Sequence, residues 1–414
     1  MTPAEARRVF LICHGLRWLP TGLVVPILVL LLTERGLALA EVGFVFAVYG
    51  AVTALLELPT GGLADAVGRK PVLLAATLFE AGLAAGLLFG QTLWHFLLAA
   101  VLGAVGRALL SGPLESWYVD TAREADPAIV LRPALSAAGV VESLALAGGA
   151  SLSAILPLLG TALPLDGTLS LLSLPILGAL VAQAASFAAV LALVEEPRHG
   201  SLERTRLLGD VPALVAGGLR LAVGSRDLRL VFSSTFVAVT ALVSVEILWQ
   251  PRFAELLGGA DTAVKVNGFL VAGLSLAAAM GSWLANHLPG ALGRHAPRAA
   301  GAVALASAAA LAWLAASTSF VSAASAFFVL YAAVGAVGVL RSELLHDRVQ
   351  GERRATMVST LSVSQQAGNL VSSLTLARLA DAAGIPLVWA IAAGLIVLQA
   401  ALIALVRPLA PRRA

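Results

Sequence analysis

Long, uninterrupted apolar stretches run through this 414-residue chain, and they decide what it can fold into. A helix crossing the hydrocarbon of a bilayer needs about 20 mostly apolar residues. Twelve stretches meet that length: Val9–Leu32, Val42–Gly62, Val72–Gly90, Leu93–Trp117, Ala134–Leu156, Leu171–Val194, Leu230–Trp249, Val266–Ala285, Ala299–Ala316, Phe320–Leu340, Thr356–Leu376 and Ile385–Val406. Barrel strands would be shorter and would alternate polar with apolar residues. Composition agrees, with 59% hydrophobic residues and 12% charged, against roughly 25% charged in soluble domains. The expected fold is therefore all-α, a polytopic membrane protein of twelve transmembrane helices in two six-helix pseudo-symmetric halves.

Charge placement orients the chain, because Lys and Arg are retained on the cytoplasmic side. With both termini inside, 21 of the 27 basic residues fall in or beside cytoplasmic segments. Arg35, Arg252, Lys265 and Arg378 fall outside, and Arg17 and Arg107 lie within spans. The net charge of +3 is spread over many short loops, so no nucleic-acid partner is expected. The first apolar run is too long for a signal h-region and has no small-residue cleavage site after it, so it is expected to remain as a span. Cys13 is the only cysteine, which excludes an intrachain disulfide. Abundant alanine and arginine with two lysines points to a bacterial genome, and hence to the plasma membrane.

The longest polar interruption, Glu195–Arg229, divides the chain. The expected units are an N-terminal bundle over 1–194, a cytoplasmic loop over 195–229 and a C-terminal bundle over 230–414. Within the loop, Val211–Val223 is apolar and reads as a helix on the membrane surface or as a plain linker. Faint echoes relate the halves: Gly68-Arg69 follows span two and Gly293-Arg294 follows span eight, while Glu115 and Asp120 close span four and Glu343 and Asp347 close span ten. Internal repeats of this kind mark many transporters.

Between spans two and three the chain reads Gly61-Gly62-Leu63-Ala64-Asp65-Ala66-Val67-Gly68-Arg69-Lys70. This segment strongly resembles the signature loop of the major facilitator superfamily, and the twelve-span layout extends the resemblance over the whole chain. The segments Glu57–Thr60 and Ser111–Asp120 resemble bacterial drug-efflux-like members. Span five departs from the proton-antiporter pattern, with Gly148-Gly149 but no Gly-Pro pair. The resemblance implies a secondary transporter working by alternating access, by proton-coupled efflux of a hydrophobic or amphipathic small molecule. Uptake of a metabolite, by proton symport or facilitated, is the alternative within transport, and a non-transporting membrane sensor or enzyme is the alternative outside it. The resemblance also implies a cytoplasmic latch built from Gly61, Asp65, Gly68, Arg69, Lys70 and Asp120. Arg69 has either Asp65 or Asp120 as its partner.

Ionisable residues inside spans are costly and mark function or a fixed ion pair. At about 1.5 Å of rise per residue, Arg17, Glu80, Glu142 and Arg107 fall at similar depth. Glu142 is the expected proton carrier, working with Arg107 and Arg17, and Glu80 on span three reads first as a structural staple. Candidate substrate contacts are Arg17, Glu142, Glu246, Trp249, Gln366 and Asn369. The last two belong to a polar stripe, Ser359, Ser362, Gln366, Asn369 and Ser373, which repeats every three or four residues and so shares one helix face. It fits a pathway lining and interhelical hydrogen bonding equally.

No His-Glu-x-x-His, P-loop or Cys-x-x-Cys pattern occurs. The expectation is therefore neither enzyme nor ATP-driven pump, with no cofactor and no metal. The partners expected are a small-molecule substrate, protons and the lipid bilayer, and the chain is expected to work as a monomer.

Overall fold

The structure is a computed structural model that describes residues 1–160, 170–195, 225–287, 296–346 and 353–407. The expected surface helix at Val211–Val223 and the pair Gly293-Arg294 lie outside these residues, as do Asp347 and the side chain of Glu343.

Helices account for nearly all of it. In chain order they are α1 (Pro3–Val24), α2 (Leu28–Glu34), α3 (Leu39–Val67), α4 (Arg69–Phe89), α5 (Leu93–Leu109), α6 (Pro113–Ala125), α7 (Arg132–Gly160) and α8 (Ser173–Leu193). There follow α9 (Arg226–Leu257), α10 (Ala260–His287), α11 (Ala296–Ala316), α12 (Phe320–His346), α13 (Arg353–Val371), a π turn (Ser372–Leu376), α14 (Ala377–Ala383) and α15 (Ile385–Ala404). Among the described residues, 10 helices are long and apolar enough to cross a membrane, or 11 if the bent pair α1–α2 is one span. The remaining expected stretch, Thr356–Leu376, is helical as α13 and the π turn but is not among these. Its polar stripe lowers the hydropathy that the other spans share.

Two expected spans are broken. The first bends by 41° between Val24 and Leu28, at Pro26, whose ring removes a backbone donor and clashes with the preceding turn. The fourth stops at Leu109 and restarts as α6 at Pro113. The proline at the first helical position suits a new start. On α3 the helix runs unbroken through positions 57, 61 and 65.

The helices gather into two compact units. Unit 1 comprises Met1–Leu37, Val48–Val211 and Ala260–Ala272; unit 2 comprises Ala38–Ala47, Pro212–Gly259 and Gly273–Ala414.

In unit 1, α1 packs on α6, α7 and α8, and α4 packs on α5, α6 and α8. The contact of α1 with α7 is set by small residues. A Cβ at Gly22 would strike the backbone at Leu146, and one at Gly149 would come 2.5 Å from the Leu19 carbonyl oxygen. Only residues without a side chain let the two backbones approach so closely. Towards the α6 end, Phe10 stacks on Tyr118 with centroids 4.7 Å apart, and the Trp117 indole donates to the Glu195 carbonyl at 2.7 Å. The opening turns of α10 belong to this unit: the Asn267 amide donates to the Pro26 carbonyl at 3.2 Å.

In unit 2, α9 packs on α12, α13, α14 and α15, and α11 packs on α12 and α15. Trp249, Phe253 and Phe327 form a buried aromatic block with centroids 5.4 to 6.0 Å apart. The start of α3, as far as Ala47, joins this unit. Asp381 accepts from the backbone N–H groups of Leu39 (3.1 Å) and Ala40 (2.7 Å). A carboxylate bonded to free donors at a helix start satisfies them and meets the positive end of the helix dipole.

Candidate functional site

The intramembrane charges of unit 1 converge. Helix α1 presents His14, Arg17 and Trp18, spaced so that His14 shares a face with each of the other two. To these α3 adds Tyr49, α4 adds Glu80, α5 adds Arg107 and α7 adds Glu142. The guanidinium carbon of Arg107 lies 4.9 Å from the Trp18 ring centroid and that of Arg17 lies 5.4 Å from it. Both fall within the range where an indole face attracts a cation. The carboxylate of Glu142 meets His14 Nε2 at 3.4 Å.

Glu80, read first as a structural staple, lies within the cluster. Its side chain rests against Gly106, where a Cβ would come 2.9 Å from Glu80 Cγ. The charges that act on it are Arg107 and Arg17. Tyr49 feels the same three groups. Arg17 in turn faces Arg107, Glu80, Glu142 and Tyr49. So the four charges placed at similar depth by helical rise are together, with an unforeseen division of roles. Histidine takes the carboxylate of Glu142 at closest range, and Glu80 is the carboxylate set against both arginines. His14, Trp18 and Tyr49 had no part in the sequence-based site. Their signal was present in α1, where His14 stands three residues before Arg17 and four before Trp18.

At the junction of α3 and α4, Gly68 adopts φ +109°, a conformation that glycine alone enters freely. Arg69 pairs with Asp120 at 2.6 Å and donates to the Ser116 carbonyl at 3.0 Å. Lys70 donates to the Leu191 carbonyl at 2.8 Å. Of the two partners open to Arg69, the structure places Asp120 beside it. The side-chain surroundings of Gly61 and Asp65 lie outside the described residues.

In unit 2, the Glu246 side chain on α9 is accessible, while Trp249, one turn on, is 4% exposed and packed into the aromatic block. The Trp249 ring therefore contributes to packing and not to an accessible wall. Gln366 and Asn369 on α13 are half-buried, and Ser373 donates to Asn369 at 3.3 Å. Neighbouring positions tie α13 to α9: Ser364 donates to the Phe232 carbonyl at 2.8 Å and Thr240 to the Gly368 carbonyl at 3.3 Å.

This arrangement resembles known transporters. The sequence profile of the Major Facilitator Superfamily matches residues 10–373. The inner membrane transport protein YajR of Escherichia coli (strain K12) is 31% identical over 122 residues, 27% of this chain and 26% of that protein. The match thus spans about a quarter of the length of that relative. The nucleoside transporter NupG superposes with a TM-score of 0.75 at 14% identity, covering 96% of this chain and 98% of that one. A peptide transporter POT, a mutant in complex with alafosfalin, gives 0.72 at 13% identity, covering 97% and 93%. A bacterial homologue of the human lysosomal transporter Spinster gives 0.71 at 13% identity, covering 97% and 96%. At such identities the structural likeness establishes the fold. With the profile covering most of its length, the chain belongs to the Major Facilitator Superfamily, as a multi-pass membrane protein and a secondary transporter of small molecules, not an enzyme.

Proposed function

We propose that this transporter couples the movement of an amphipathic small molecule to protons, and that it works as an exporter. One observation carries the coupling: two carboxylates, two guanidiniums and a histidine are gathered in one cluster on spanning helices. A carboxylate in such surroundings is neutral or paired, and a change of partner changes its proton affinity. Glu142, held by His14 and acted on by Arg17, is the proton carrier in this reading. Glu80 keeps Arg107 and Arg17 compensated within the membrane. The signature loop and the Arg69–Asp120 pair belong to a cytoplasmic latch that opens and closes with the transport cycle.

The outward direction is supported by the resemblance of the span-two and span-four segments to drug-efflux-like chains. Expression in an efflux-deficient bacterium tests it. The expected result is increased tolerance to at least one amphipathic toxic compound, lost in Glu142→Gln. Hypersensitivity to such compounds, from their accumulation, would establish uptake instead. Uptake with protons is a second reading, and one observation favours it: the cluster is richer in hydrogen-bond donors than in acceptors, which suits an acidic nutrient.

A further inference from the structure

The donors of this cluster exceed what its own acceptors use. Arg17 is half-buried, and its Nε is shielded from solvent yet has no hydrogen-bond partner. The Trp18 indole Nε1 is likewise buried and without one. Both belong to the group in which two guanidiniums approach a single ring. Among the described residues neither guanidinium forms an ion pair at contact distance, and the closest ion pair of the cluster is His14–Glu142. Buried donors are costly to leave unmatched, and two like charges side by side repel. Each fact asks for the same complement, an acceptor-rich group carrying negative charge.

We propose that Arg17, Arg107 and Trp18 form a subsite for the anionic group of an amphipathic substrate, a carboxylate or a phosphate. The planar guanidinium fork matches both groups with paired hydrogen bonds, and the indole N–H supplies a further donor. The proposal rests on the reading of this cluster as the transport site and is independent of the direction of flux.

The charges around the subsite give the proposal a sign. Glu80 and Tyr49 interact electrostatically with both Arg17 and Arg107, Glu142 interacts with Arg17, and His14 interacts with Glu142, Arg17 and Glu115. With both carboxylates ionised, the two guanidiniums are compensated from within. Neutralising one carboxylate leaves a net positive charge for the ligand to fill. Removing Glu142's charge therefore tightens anion binding, whereas a merely structural Glu142 would weaken it or leave it unchanged.

Calorimetric titration of the purified protein in phosphatidylcholine nanodiscs tests this, with octyl phosphate, octanoate and octanol as probes. The expected result is that both anions bind about tenfold or more tightly than octanol. Arg17→Gln and Arg107→Gln each weaken the anions by about tenfold and leave octanol unchanged. Arg17→Lys, which keeps the charge and controls for folding, weakens them less. Glu142→Gln strengthens them by about threefold. Repeating the titration in phosphatidylglycerol nanodiscs separates two sources of the same chemistry. Competition assigns the subsite to a lipid headgroup, unchanged binding assigns it to a soluble amphipath, and either supports an anion subsite. Octanol binding as tightly as octyl phosphate would overturn the subsite and leave the transport site standing. Failure of all three probes to bind would remove both.

Discussion

At the residue scale, the cluster shows how far depth alone can locate a site. Helical rise put Arg17, Glu80, Arg107 and Glu142 at one level, and the structure brings them together. Rise says nothing of azimuth, so it left the partners open, and Glu80 read first as a structural staple. It passed over His14, Trp18 and Tyr49, because a lone aromatic or histidine in a span has many uses. Glu80 and Arg107 are expected to be coupled energetically. Glu80→Leu leaves two guanidiniums with Glu142 as the one remaining carboxylate, and Arg107→Leu leaves Glu80 with Arg17 alone, whereas the double variant removes one charge of each sign. Thermal unfolding in detergent is expected to show each single variant less stable than the double, with a coupling of about 1–3 kcal/mol. Additive losses would mean that the two groups do not interact.

At the element scale, the helices themselves were legible, since each is a long apolar run. Their breaks were not. The bend after Val24 falls inside an apolar stretch and only Pro26 marks it, whereas the restart at Pro113 is marked by the Gly112-Pro113 pair and by the more polar residues that follow. The polar stripe of α13 illustrates the opposite limit. Periodicity placed it on one face, but the hydrogen bonds that join α13 to α9 come from Ser364 and the Gly368 carbonyl, which lie off the stripe. The adjacent glycines of α7 supply a paired test. Gly149 meets the α1 backbone, whereas a Cβ at Gly148 would have nothing within 4 Å. Gly149→Ala is expected to destabilise by about 1–3 kcal/mol through overpacking. Gly148→Ala is expected to be neutral or to stabilise by up to about 1 kcal/mol through helix propensity. Equal effects on thermal unfolding would contradict the close approach of α1 to α7. At the start of α3, Asp381→Asn is expected to cost about 0.5–2 kcal/mol, by removing charge from a doubly bonded helix cap.

At the scale of the whole molecule, composition alone led to a membrane protein, and the signature loop led to the superfamily. Both follow from chemistry repeated along the chain, which is why they were readable without coordinates. Orientation rests on the distribution of 27 basic residues. It is testable in a Cys13→Ser background, where Gln91→Cys is expected to react with a membrane-impermeant maleimide in intact cells and His199→Cys is not. The reverse pattern would invert the topology. A latch at Arg69–Asp120 is expected to govern rate more than binding, so Asp120→Asn should slow turnover severalfold with substrate affinity kept. Lost affinity at normal turnover would place Asp120 in the substrate site instead. The central claim is that the buried cluster couples substrate to protons. Reconstitution into liposomes with an imposed pH gradient tests it most directly, comparing gradient-driven accumulation of a transported amphipath by wild type and Glu142→Gln. The account expects the gradient to drive accumulation in the wild type alone, with the variant limited to equilibration; undiminished accumulation in Glu142→Gln would contradict it.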